Sequence, residues 1–154
     1  MRHILTRLSS RKLSLSHNNM PTSNIAFPVW ATGRRKNATA RVRLLPGDGK
    51  FIINTKSLET YFGGHNRSKW IVMRAFEVAK VGTQYDIFVD VTGGGVHGQA
   101  GAISHGVARA FSKLENPLRV AMRKEGLLTR DSRMVERKKP GRPKARKRFQ
   151  YSKR

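Results

Sequence analysis

The chain has 154 residues, with 32 Lys and Arg against 9 Asp and Glu, a net charge of +23. Self-repulsion of that size disfavours a compact state unless a polyanion neutralises it, and nucleic acid is the first candidate. No apolar run approaches the roughly 18 residues of a membrane-spanning helix. The lack of cysteine removes disulfides, thiolate metal sites and cysteine nucleophiles together.

Residues 1–30 are a basic, Ser-rich N-terminal extension in which no packed structure is expected. Arg2, Arg7, Arg11 and Lys12 stand unopposed, because the first acid is Asp48. The stretch is similar to a mitochondrial transit peptide. A plain basic extension, or a natural start at Met20, accounts for it as well.

Residues 31–126 carry the apolar periodicity of a globular α/β domain. Ala38, Ala40, Val42 and Leu44 alternate with Asn37, Thr39, Arg41 and Arg43, the period of a half-buried strand with a cationic outer face. Pro46-Gly47-Asp48-Gly49 is a turn signal, so Lys50–Asn54 is expected to return as the partner strand of a hairpin. Ser57 can cap a short helix that runs through Phe62 and ends at Gly63-Gly64. Ser68 is expected to cap a second helix, with Val72, Met73, Phe76 and Ala79 on one face and Gly82 at its close.

Tyr85, Ile87, Val89 and Val91 alternate with Asp86, Asp90 and Thr92, giving another strand. Phe88 interrupts that pattern, so part of its second face should be covered. Gly93-Gly94-Gly95 leads into a long helix with Ala100, Ile103, Val107, Ala110, Phe111 and Leu114 as its apolar stripe. Gly98, Gly101 and Gly106 each cost that helix about 1 kcal/mol relative to Ala, which points to close backbone approach. Asn116 and Pro117 begin a last helix, with Leu118, Ala121 and Met122 inward and Gly126 at its end.

Beyond Leu128 the periodicity stops. Residues 127–154 hold 12 Lys and Arg against 2 acids, and Pro140, Gly141 and Pro143 break any helix. The segment has too little apolar surface to offset its ordering entropy, so it is expected to order only on its partner.

Gly93, Gly95 and Gly98 satisfy G-x-G-x-x-G, with Glu115 some twenty residues on, but the acid ends the helix itself rather than a second parallel strand. A tight turn with close packing is the expected role, or an RNA phosphate met by the helix start, and no cofactor is expected. His65, His97 and His105 are too scattered for a metal motif. Asp86 and Asp90 share a strand face with no nucleophile nearby, and no catalytic residue is identified. Pro140-Gly141-Arg142-Pro143-Lys144 is similar to an AT-hook, which would suit an architectural DNA-binding protein, but Pro140 stands where the first groove-reading arginine belongs.

Two cationic clusters are too dense for ordinary solvated faces: Arg34, Arg35 and Lys36 with Arg41 and Arg43, and Arg137, Lys138 and Lys139 through Arg148. Phosphate neutralisation by such clusters releases counterions, so binding should weaken steeply with salt. Phe149 and Tyr151 can stack on exposed bases.

The run from Ala31-Thr32-Gly33-Arg34-Arg35-Lys36 to Val42 resembles the opening signature of the bacterial-type small-subunit ribosomal protein nine family. So do Pro46-Gly47 to Lys50, Gly93-Gly94-Gly95 to Gly101, Leu128-Thr129-Arg130-Asp131-Ser132-Arg133 to Lys139, and the terminal Gln150-Tyr151-Ser152-Lys153-Arg154. The likeness covers about four-fifths of the chain.

The resemblance implies an α+β fold of the ribosomal S5 domain 2-like type. That is a two-layer α/β sandwich with a left-handed βαβ crossover, against the usual right-handed rule, plus an extended basic C-terminal tail. It implies a non-enzymatic constituent of the small-subunit head, in a bacterial-type cytoplasm or in a mitochondrion or other organelle. Its implied partners are small-subunit rRNA, P-site tRNA and neighbouring head proteins, with no membrane and no homo-oligomer. The rRNA contacts would fall to Arg34, Arg35, Lys36, Arg41, Arg43, Arg130, Arg133, Arg137, Lys138, Lys139, Arg142, Lys144, Arg146, Lys147 and Arg148. Ser152, Lys153 and Arg154 would meet the tRNA. The chain departs from the short bacterial form in residues 1–30, and at Pro140-Gly141-Arg142-Pro143, where an aromatic-Gly-Leu-Lys-like stretch is common.

Overall fold

The computed structural model describes residues 27–81 and 84–153. The transit-peptide, alternative-start and extension readings of the N-terminus, the expected stop at Gly82, and Arg154 lie outside those residues.

The described residues form, in order, β1 (Val29–Arg35), β2 (Ala38–Pro46), β3 (Phe51–Ile53), β4 (Lys56–Ser57), α1 (Leu58–Phe62), α2 (Asn66–Ala79), β5 (Tyr85–Thr92), α3 (Val96–Leu114) and α4 (Asn116–Lys124). The strands form one mixed sheet in the order β1-β2-β5-β3-β4. The inward faces of β1, β2 and β5 bury Val29, Ala31, Ala38, Ala40, Val42, Leu44, Ile87, Val89 and Val91. Against them α3 buries the whole of its expected stripe, from Ala100 to Leu114. The result is an α+β two-layer sandwich.

The expected hairpin between the Ala38–Leu44 strand and Lys50–Asn54 does not form. β2 pairs antiparallel with β1 and β5, and β3 pairs parallel with β5, so β5 enters between the two strands taken as neighbours. Phe51–Ile53 is a short apolar run, and a run of that kind carries no record of which strand will lie beside it. The Pro46–Gly49 turn is stitched to β5 instead: Gly47 N–H donates to Gln84 O at 3.1 Å and Lys50 N–H to Asp86 Oδ1 at 2.8 Å. A parallel pair needs a long crossover, and α1 with α2 supplies it. The hairpins are β1–β2, turned at Lys36 with φ 50°, and β3–β4, turned at Asn54 and Thr55 with φ of 44° and 71°.

Two helix starts are also corrected. α2 begins at Asn66, with His65 at its N-cap position, and Ser68 lies inside the helix, fully buried, with Oγ 3.4 Å from His97 Nδ1. Asn116 is the first residue of α4 rather than its cap, which is Glu115, a one-residue difference of the kind local patterns leave open. Ser57 caps α1 as expected, accepting from Thr60 N–H.

The glycines of α3 divide by what they face. β1 and α3 touch backbone to backbone, because a Cβ on Gly33 would land on Ala102 O and Gly106 N. Gly101 leaves the path along which the Arg35 side chain crosses the helix. Gly93 and Gly94 take φ of 71° and 65° in a turn pressed on Asn37 and Ala38, so the triple glycine is a packed turn. From Gly126 to Lys153 there is no helix or strand.

Candidate nucleic-acid interface

The outer face of the sheet is built from the residues that alternate with the core. One register row crosses it as Trp30, Arg43, Phe88 and Ile52. The Arg43 guanidinium lies 5.8 Å from the Trp30 ring centroid and 4.9 Å from that of Phe88. Two aromatic faces orient one cation, a contact worth about 0.5–1 kcal/mol at exposed sites. Phe88 is half-buried because the Arg43 side chain covers it. The next row sets exposed Arg41 opposite exposed Asp90.

The Arg34-Arg35-Lys36 run does not act as one patch. Strand alternation puts Arg34 and Arg35 on opposite faces, and Lys36 is in the turn. Arg34 is exposed, while Arg35 runs along α3 to the chain beyond α4, where Nη2 meets Asp131 Oδ2 at 3.3 Å. Arg133 Nη2 reaches the same oxygen at 2.8 Å and its Nε donates to Asp131 Oδ1 at 2.9 Å. These bonds from Arg133, and then the charge of Arg35, hold the Asp131 carboxyl well below the usual carboxylate range.

A second fastening lies one turn away. Arg34 N–H donates to His105 Nδ1, and His105 Nε2 lies against Leu128 O, both at 3.3 Å. These partners require the neutral ring with its proton on Nε2. Burial first, and then the charges of Arg109 and Arg130, lower the His105 pKa, against the opposing effect of the Leu128 carbonyl. β1, α3 and the start of the basic segment are thus joined through one imidazole. Leu127 N–H also bonds Met122 O at 3.0 Å.

Further along, Glu136 accepts from Lys139 Nζ at 2.8 Å and Arg146 Nε at 2.9 Å, which together lower its pKa. Arg35, Arg133, Lys139 and Arg146 therefore each share a carboxylate. Among the described residues, Arg130, Arg137, Lys138, Arg142, Lys144, Lys147, Arg148 and Lys153 enter no ion pair. Phe149, Tyr151, Ser152 and Lys153 are exposed.

The other candidates have structural roles. Asp86 holds the Lys50 backbone, and His97 lies against Ser68. At the triple glycine, Gln99 donates to Gly93 O at 3.2 Å and accepts from the Tyr61 hydroxyl at 3.0 Å.

Sequence reasoning missed the fasteners. Arg109 bonds Thr32 O and Lys113 bonds Trp30 O, so two exposed cations of α3 also clamp β1. His105, two residues past Ile103 in the small-residue stretch from Ala100 to Ala108, was the available signal. Asp131, a lone acid in a cationic run, was another. The sequence profile of a family described as Ribosomal protein S9/S16 matches residues 33–154.

Proposed function

The chain belongs to the ribosomal protein S9/S16 family, and from that premise we propose that its C-terminal segment, residues 127–154, is an RNA-directed arm whose last residues meet the P-site tRNA. As a member of this family it is a small-subunit ribosomal protein that binds rRNA, and the family is structural rather than enzymatic.

In the proposed division of labour, residues 31–126 dock on rRNA of the head, beside other head proteins, and the arm tracks rRNA to its end. Arg34, Lys36, Arg41 and Arg43 would serve the domain, and Arg137, Lys138, Arg142, Lys144, Lys147 and Arg148 the arm. Ser152, Lys153 and Arg154 would reach the tRNA. The observation that carries this reading is the run of unpaired cations beyond Glu136, whose own charge is already matched twice. Cations that have no carboxylate partner among the described residues are free to meet phosphates. Contacts of that kind position without reading sequence, as a site that accepts every tRNA requires. Asp131 has a different part: it draws Arg35 and Arg133 together and sets where the arm leaves the domain.

The test is removal of Lys153 and Arg154 from the full chain. P-site tRNA binding by reconstituted small subunits should weaken, and the slope of log affinity against log salt should fall by about 1.4–1.8 for two lost phosphate contacts. Subunit assembly should be unchanged. Assembly failing in step with tRNA binding would defeat the assignment.

A further inference from the structure

We propose that the cleft between α2 and the root of the arm is a nucleotide subsite, in which a single unstacked RNA base lies on Trp70 with its phosphate among Arg35, Arg74 and Arg133. The inference rests on the rRNA-binding role and adds to it two residues outside the cationic runs, Trp70 and Arg74.

The cleft has a volume of about 380 Å³ and is open on one side. That is at the lower end of small-molecule sites, suited to one nucleotide. Trp70 and Ile71 on α2 form one wall, and the rest of the lining mixes apolar Leu127 with polar Ser104, His105, Thr129 and Asp131. Trp70 is 57% exposed, and among the described residues it has no aromatic or cationic partner. An indole left open at the lip of a cleft supplies a large flat apolar face at low ordering cost. Of the four arginines that line the cleft, Arg35, Arg74 and Arg133 meet two carboxylates among the described residues: Asp131 is shared by Arg35 and Arg133, and Arg74 Nη2 bonds Glu125 Oε2 at 3.1 Å. These three leave one positive charge in surplus, and each ion-paired guanidinium keeps N–H donors for a phosphate oxygen. Their anchoring also holds them in place beforehand. A flat apolar wall with fixed, net-cationic donors beside it matches the two halves of a nucleotide. An apolar peptide side chain would leave the donors unused.

The chain has two tryptophans, so Trp30→Phe in the full-length protein makes Trp70 the sole indole emitter. Titration with a transcript of the small-subunit rRNA head domain should quench that emission. Inorganic polyphosphate, which offers charge without bases, should not. Trp70→Ala should weaken filter-binding affinity for the transcript about tenfold, the scale of one lost base stack, and Trp70→Phe should restore most of it. Wild-type affinity in Trp70→Ala, with Trp70 emission unmoved by bound RNA, would overturn the subsite while leaving the rRNA-binding role intact. Quenching by polyphosphate, or only by another head protein, would also overturn it. Failure of every form to bind the transcript would defeat the underlying role, and the subsite with it.

Discussion

Gly98→Ala and Gly106→Ala place the same methyl group in the same helix, and the structure predicts opposite effects. In an exposed helix interior, Gly to Ala stabilises by about 1 kcal/mol. At Gly98 a new Cβ would find Arg35 O at 3.6 Å and Ala38 Cβ at 3.7 Å, ordinary contact distances, so the gain survives. At Gly106 it would find Val42 Cγ2 at 2.6 Å and Gly33 N at 3.2 Å. Val42 is fully buried and Gly33 is strand backbone, so neither can step aside freely. Overpacking of this kind costs about 1–3 kcal/mol, so the net effect is a loss of up to about 2 kcal/mol. For a domain of this size a loss of 1 kcal/mol lowers the melting temperature by roughly 4–8 °C. Thermal and urea unfolding of the two variants, with the urea slope checked for constancy, measures both signs. Gly106→Ala melting at or above wild type would refute the claim that β1 and α3 are in backbone contact at this point.

The remaining predictions concern the root of the arm. His105 is held neutral with a lowered pKa, so between its folded value and the ordinary imidazole value near 6.5 the unfolded chain binds more protons. Stability should therefore fall as pH drops through and below that ordinary value, and His105→Gln should flatten this part of the profile; urea midpoints from pH 7.5 to 5 report it, and an unchanged slope in the variant would count against the fastening. Asp131→Asn removes the carboxylate shared by Arg35 and Arg133. Tryptic cleavage after Arg130 and Arg133 should speed up severalfold while the domain keeps its melting temperature; cleavage at the wild-type rate would mean that the ion pairs do not hold the arm.

Local pattern was enough for β2 and β5, which each bury one face and leave a clear period, and for the apolar stripe of α3, although small residues on its other sides are buried too. It was also enough to mark the basic segment, since twelve cations among 28 residues cannot be a core. It missed β1, where Gly33 faces inward and Trp30 outward, the reverse of ordinary alternation. It missed β4, at two residues too short to show a period. It paired β3 with the wrong neighbour, because pairing is decided by how the crossover through α1 and α2 packs on the sheet.

The sharpest limit lies in the charges. Composition established a polyanion-binding chain, and the motif likeness named the family, but a charge count treats every cation alike. Only the tertiary structure separates the arginines and lysines that clamp β1 or share Asp131 and Glu136 from those that have no such partner among the described residues. Ion pairing depends on distances between side chains many residues apart, up to 96 for Arg35 and Asp131, and those distances exist only once the chain is folded.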